Sequence, residues 1–175
     1  MVRFKNRWLL IEFIPATSTP GHNHTRATTT RSPPDAISGK DVFNALKQSI
    51  LLHFGDVGWG EVGASLAVKY FSPMTNLCIV RVARGTATST TWAALTLLDR
   101  VGGGSSGSAE GHRVVPHVIH VSGTLKHAQT AAIEWNRRAI ARAKAGMDVS
   151  CAVPQRGNNV AYFETSMLEI EELQD

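Results

Sequence analysis

Two cysteines, Cys78 and Cys151, are all that 175 residues carry. That excludes a disulfide framework and suits a reducing compartment, cytoplasm or nucleus. Nowhere do about 18 apolar residues follow one another, the length a membrane-spanning helix needs, so no membrane partner is expected. The apolar opening Trp8-Leu9-Leu10-Ile11-Glu12-Phe13-Ile14 is short, interrupted by Glu12 and stopped by Pro15, which reads as a strand rather than a signal segment. Zinc-ligand spacing is missing as well. His22 and His24 fall in a Pro/Thr-rich stretch, and strand alternation would send His117 and His120 to opposite faces. No metal or other cofactor bound by the chain is expected.

Signatures of catalysis are scarce too. The acids of the basic body are scattered, with no pairing that suggests acid/base chemistry. Cys78 sits in a hydrophobic strand, where a buried thiol is inert. The run Gly102-Gly103-Gly104-Ser105-Ser106-Gly107-Ser108 has no lysine after it, so it is a linker and not a phosphate loop. An acylphosphatase-like enzyme would need an arginine-plus-asparagine anion site in the first loop, and residues 15–24 hold His22 and Asn23 but no arginine. The aromatic fingerprint of base-stacking RNA domains is absent: Cys78-Ile79-Val80-Arg81-Val82-Ala83 is aliphatic with one charge. Backbone and shape recognition stay open.

What the chain does have is positive charge with a direction. Residues 1–148 hold 17 Lys/Arg against 9 Asp/Glu, a net of +8, whereas residues 149–175 hold one Arg and five acids, a net of −4. A basic body of this kind suits a polyanionic partner. A strand over 8–14 is followed by Pro/Thr-rich residues 15–36, read as a flexible insertion. Ser38-Gly39-Lys40-Asp41 has capping-box spacing before a helix over about 39–54, with Gly55 as its stop. Ser65–Phe71 and Leu77–Arg84 form a hairpin around Ser72–Asn76, and a second helix spans 86–100. Arg113–Val121 is a strand in which Pro116 marks an edge or a bulge. Thr124 opens a third helix, to about Ala145. The order β-α-β-β-α-β-α gives an α+β, RRM-like or ferredoxin-like two-layer sandwich with an antiparallel sheet. Its helices lie on one face and the other is free. One domain is expected over 1–148, with insertions at about 15–37 and 102–111, followed by an acidic, partly disordered tail over 149–175.

Three features carry function. Arg3, Lys5 and Arg7 alternate with Phe4, Asn6 and Trp8, so an extended chain puts the cations on one side and the aromatics on the other. Ser122-Gly123-Thr124-Leu125-Lys126 joins strand to helix, and its free N–H groups with Lys126 make an anion site. Asn136, Arg137, Arg138, Arg142 and Lys144 cluster on the third helix, with Arg138 and Arg142 one turn apart as a phosphate rail.

The same stretches carry a resemblance. Met1-Val2-Arg3-Phe4-Lys5-Asn6-Arg7-Trp8-Leu9-Leu10 closely resembles the opening of the Pop five subunit family of eukaryotic ribonuclease P and MRP. Lys69-Tyr70-Phe71, Thr75 and Ile79-Val80-Arg81 are similar to its hairpin. Val121–Lys126 followed by Asn136-Arg137 is similar to its strand-to-helix block. Many members have Thr-Gly where this chain has Thr75-Asn76. The resemblance implies a non-catalytic subunit of a ribonucleoprotein whose RNA, with bound magnesium, cuts precursor tRNA. It also implies as partners an Rpp-thirty-like subunit (Rpp-one in yeast), a small RRM-like subunit and other Pop subunits, in the nucleus and nucleolus. The RNA-contacting set then reads Arg3, Lys5, Arg7, Lys69, Arg81, Ser122, Gly123, Thr124, Lys126, Arg137, Arg138 and Arg142. The alternative at this point is a protein–protein adaptor that uses the free sheet face without touching RNA.

Overall fold

β1 (Asn6–Pro15) is the central strand. In a computed structural model of the chain, which describes residues 5–16, 37–73, 75–102, 112–144 and 159–173, it pairs antiparallel with two neighbours. One is β3 (Leu77–Ala83), joined to β2 (Ala67–Ser72) as the expected hairpin; the other is β5 (His112–Ser122). A two-residue β4 (Arg100–Val101) closes the far side, giving the order β2-β3-β1-β5-β4. The α+β fold with an antiparallel sheet, expected from the order of elements, is thus observed. Asn76 takes a left-handed φ of 54° in the hairpin turn. Asparagine tolerates that conformation far better than most side chains, so replacing the glycine usual at this place leaves a left-handed turn intact.

Trp8, Leu9, Leu10 and Ile11 are all buried, and alternation divides them between two layers. Leu9, Ile11 and Phe13 meet Val80, Val82 and the inner faces of α1 (Gly39–Val62) and α2 (Thr86–Thr96). Full burial of Leu46 and Ile50 on α1 stabilises the fold by about 1.5–3 kcal/mol each. The capping box is formed: Asp41 N–H donates to Ser38 Oγ at 3.3 Å, while Ser38 N–H donates to Asp41 Oδ2 at 2.9 Å. α1 runs beyond the expected stop. Gly55, with φ of 62° and ψ of −162°, breaks the helical path without ending it, and a second short helical stretch follows to Val62.

The other face of the sheet is not free, which corrects the two-layer expectation. α3 (Leu125–Lys144) and α4 (Asn159–Glu171) cover it, making a third layer. Trp8, Leu10, Tyr70, Leu77 and Ile79 pack there against Leu125, Ala128, Ala132 and Ile170. The acidic segment after residue 148, read as a tail, therefore contributes a packed helix, while residues 145–158 lie outside the described part. Polar groups pin it. Asn136 Nδ2 donates to Ser166 Oγ at 3.3 Å, the hydroxyls of Ser166 and Tyr70 are 2.9 Å apart, and Tyr70 donates to Glu169 Oε2 at 2.9 Å. Gln129 Nε2 donates to the carbonyls of Ile170 and Leu173 at 2.7 and 2.9 Å, satisfying groups at the helix end. Among the described residues, no helix is long and apolar enough to cross a membrane.

Burial, reinforced by the Glu169 carboxylate and opposed by the hydrogen bond to Ser166, pushes the Tyr70 hydroxyl from 10 up to about 12. A raised folded-state value favours the folded chain below pH 10, and that contribution is lost as pH rises towards 12. Stability measured by denaturant titration should fall across that window, and Tyr70→Phe should remove most of the slope. Ile170→Ala should cost about 2–4 kcal/mol, read from the same titrations. A chain insensitive to that change would show that α4 contributes nothing to folding.

Candidate nucleic-acid interface

Antiparallel pairing sends the start of β1, the end of β3, the end of β5 and the start of β2 to the same edge of the sheet. Ala67 lies opposite Arg81, Arg81 opposite Trp8, and Trp8 opposite Ser122. The segments meeting there, 5–8, 65–69, 81–86 and 121–127, hold Lys5, Arg7, Lys69, Arg81, Arg84 and Lys126 and no carboxylate. The nearest acids along the chain are the half-buried Glu12 of β1 and the exposed Glu61 of α1. α2 and α3 both begin at this end, on opposite faces. Helix N-termini carry partial positive charge and free N–H groups, so backbone and side chains here have the same sign.

The anticipated alternation holds over the described part of the arm: Trp8 is buried under α3, Arg7 is half-buried on the other side, and Lys5 is exposed. Arg3 lies outside the described residues. Arg7 reaches the strand-to-helix corner, since a methyl group added at Gly123 would stand 3.2 Å from Arg7 Nη1. Glycine is what allows that approach. Thr124 caps α3 by accepting from His127 N–H at 3.4 Å, and Ser122 is buried, donating to the Thr124 carbonyl at 2.8 Å. The serine is therefore a brace of the corner, while Gly123, Thr124 and Lys126 are exposed. Lys69 sits at a register shift between Val68 and Tyr70. Arg84, which sequence reasoning missed, donates its backbone N–H to the Lys5 carbonyl at 2.9 Å. Its signal was the Arg84-Gly85 step from strand to helix, a parallel to Ser122-Gly123.

The third helix divides the remaining residues. Asn136, read as a neighbour of the rail, is fully buried between α3 and α4. Arg137 and Arg138 are exposed, and Arg138 lies 3.5 Å from Glu134 one turn away. Arg142 is on the helix, but its side chain is outside the described ones. Lys126 and Arg137 are eleven positions apart, about 16 Å along the axis and just over three whole turns, so both sit on one exposed stripe. A β-bulge between Leu10 and Ile11 sets His120 opposite Leu10 and His117 opposite Glu12, both on the α3 face. That corrects the opposite-face expectation. His117 Nδ1 is 3.8 Å from Glu12, and its ring is 6.2 Å from Trp135. Among the described residues, no three His, Cys, Asp or Glu side chains gather as metal ligands. Cys78 is fully buried, and desolvation pushes its thiol well above the usual range, so it is no nucleophile at neutral pH.

The model of the Rpp14/Pop5 family matches residues 7–133. The chain belongs to that family. It is 36% identical over 140 residues to ribonuclease P/MRP protein subunit POP5 of Schizosaccharomyces pombe, covering 80% of this chain and 91% of the relative. It is 30% identical over 139 residues to the probable ribonuclease P/MRP protein subunit POP5 of Arabidopsis thaliana, covering 78% and 80%. Ribonuclease P/MRP protein subunit POP5 of Saccharomyces cerevisiae is 30% identical over 144 residues, 79% of each chain. The Rpp14/Pop5 match takes in Arg7, Lys69, Arg81, Arg84 and the 122–126 corner. It ends before Arg137, and α4 lies beyond it.

Arg81 is half-buried, and its Nε is enclosed without a hydrogen-bond partner. A buried unpaired N–H is unfavourable by about 1–3 kcal/mol, so Arg81→Met should leave the thermal midpoint of the isolated chain unchanged or raised. A marked fall would mean that the guanidinium already has a stabilising partner within the fold.

Proposed function

We propose that this chain is a non-catalytic, RNA-binding subunit of ribonuclease P and MRP. In this reading it stabilises the catalytic RNA core and assists 5′-leader removal from precursor tRNA and pre-rRNA processing. One observation carries the RNA contact: six cations and two helix N-termini converge on one end of the sheet, in segments without a carboxylate. Such a surface suits phosphate oxygens, which position a protein on nucleic acid without reading sequence. Membership of the particle is supported by the relatives, which are named as ribonuclease P/MRP subunits. Magnesium belongs to the RNA in this reading, and the protein supplies charge and shape. The further partners are an Rpp-thirty-like subunit, a small RRM-like subunit and other Pop subunits, with nucleus and nucleolus as the compartment.

Lys5, Arg7 and Lys126 are the first contacts, flanked by Lys69, Arg81, Arg84, Gly123 and Thr124. Arg137 continues the path along α3, and Arg3, Arg138 and Arg142 complete the proposed set. The adaptor alternative relied on an open sheet face, and α3 and α4 occupy that face.

Each phosphate contact contributes about 0.7–0.9 to the slope of log affinity against log salt. Replacing Arg7 and Lys126 together by alanine should flatten that slope by roughly 1.4–1.8 and weaken binding to the particle's RNA at low salt. The check is a binding titration at several ionic strengths. A double variant with the wild-type slope would remove the sheet end from the interface.

A further inference from the structure

β4 pairs only with His112 and Arg113, so among the described residues no strand lies along the outer edge of β5 from Val114 onward. α3 lies beside that edge, and between them is a groove of about 530 Å³, within the roughly 300–1,000 Å³ usual for small-ligand sites. Its apolar lining is Ile119, Ala131 and Trp135, and its polar lining includes His120, His127 and Arg138. We propose that this groove receives a single unpaired RNA base, stacked against its tryptophan and imidazole rings. The inference rests on the reading of the chain as an RNA-binding subunit.

Three observations converge on a nucleobase. Trp135, His120 and His127 are flat rings in one groove, and unpaired bases stack on such side chains whatever their sequence. The β-bulge opposite Leu10 and Ile11 brings His120 to the α3 face, and bulges recur where a side chain has to be re-aimed beside a site. Lys126 and Arg137 then form the adjacent exposed stripe of α3. Phosphates following that stripe from the strand-to-helix corner would carry their bases over the groove. Glu134, held 3.5 Å from Arg138 at the rim, offers an acceptor to exocyclic amino groups, as acidic side chains do to cytosine. A partner's β-strand fits less well, because Pro116 and the bulge interrupt the hydrogen-bonding edge that it would extend.

The test compares two oligonucleotides of equal length binding to the full chain: a mixed-sequence single-stranded RNA, and a ribose-phosphate chain of the same charge without bases. Wild type should prefer the intact RNA by roughly five- to a hundred-fold, the range of one stacked base. Trp135→Leu should bring that ratio towards one. So should the double variant His120→Ala/His127→Ala, whose positions are exposed and whose folding is at little risk. In both variants the salt slope should stay at the wild-type value. A wild-type ratio near one overturns the inference, as does a ratio that survives in both variants. The salt slope of the wild type with intact RNA reports separately on phosphate contact at the sheet end, so a wild-type chain that keeps the slope but shows no base preference condemns the groove alone.

Discussion

Burial of β1 on both faces is the constraint from which the rest follows. A strand whose Trp8, Leu9, Leu10 and Ile11 are all out of solvent cannot stop at one layer of helices. The side carrying Trp8 and Leu10 must be covered too, and α3 and α4 do it. Once both faces are closed, charge has to leave the sheet through its ends and through the outer side of α3. Lys5, Arg7, Lys69, Arg81, Arg84 and Lys126 gather at one such end, and Arg137 stands on the helix. The basic surface is in this sense a by-product of the core.

The three layers also give separate duties to neighbouring residues. On α3, Ala128, Ala132 and Asn136 recur at four-residue spacing and face inward, while Lys126, Thr130 and Arg137 face outward. At the corner, buried Ser122 braces the turn and the bare backbone of Gly123 leaves room for Arg7. Cations are thus held against rigid elements, and presenting them to phosphate requires little further ordering.

Much of this was legible in the sequence. The capping box at Ser38 and Asp41, the hairpin around Thr75-Asn76 and the corner at 122–126 all depend on residues within a few positions of one another, and such patterns are local. The covered second face was not seen, although its signal was present: four consecutive buried side chains are the mark of a strand enclosed on both sides. Asn136 was taken for a surface residue because of its basic neighbours, whereas its four-residue spacing from Ala132 put it on the inner stripe. The bulge that carries His120 to the α3 face, and the union of six cations from four segments, come from strand pairing and have no local sign.

One consequence concerns the order of assembly. Tyr70 and Ser166 touch across 96 positions of sequence, and Gln129 reaches Ile170 across 41. Contacts of such separation form slowly, because a long loop must close before they return any stability. During synthesis, β1, the hairpin and the first two helices emerge with Trp8, Leu10 and Ile79 still unroofed. The nascent domain therefore spends its vulnerable interval with a sticky sheet face bare until the final helix arrives. A chaperone acting on this protein would be needed most during that interval.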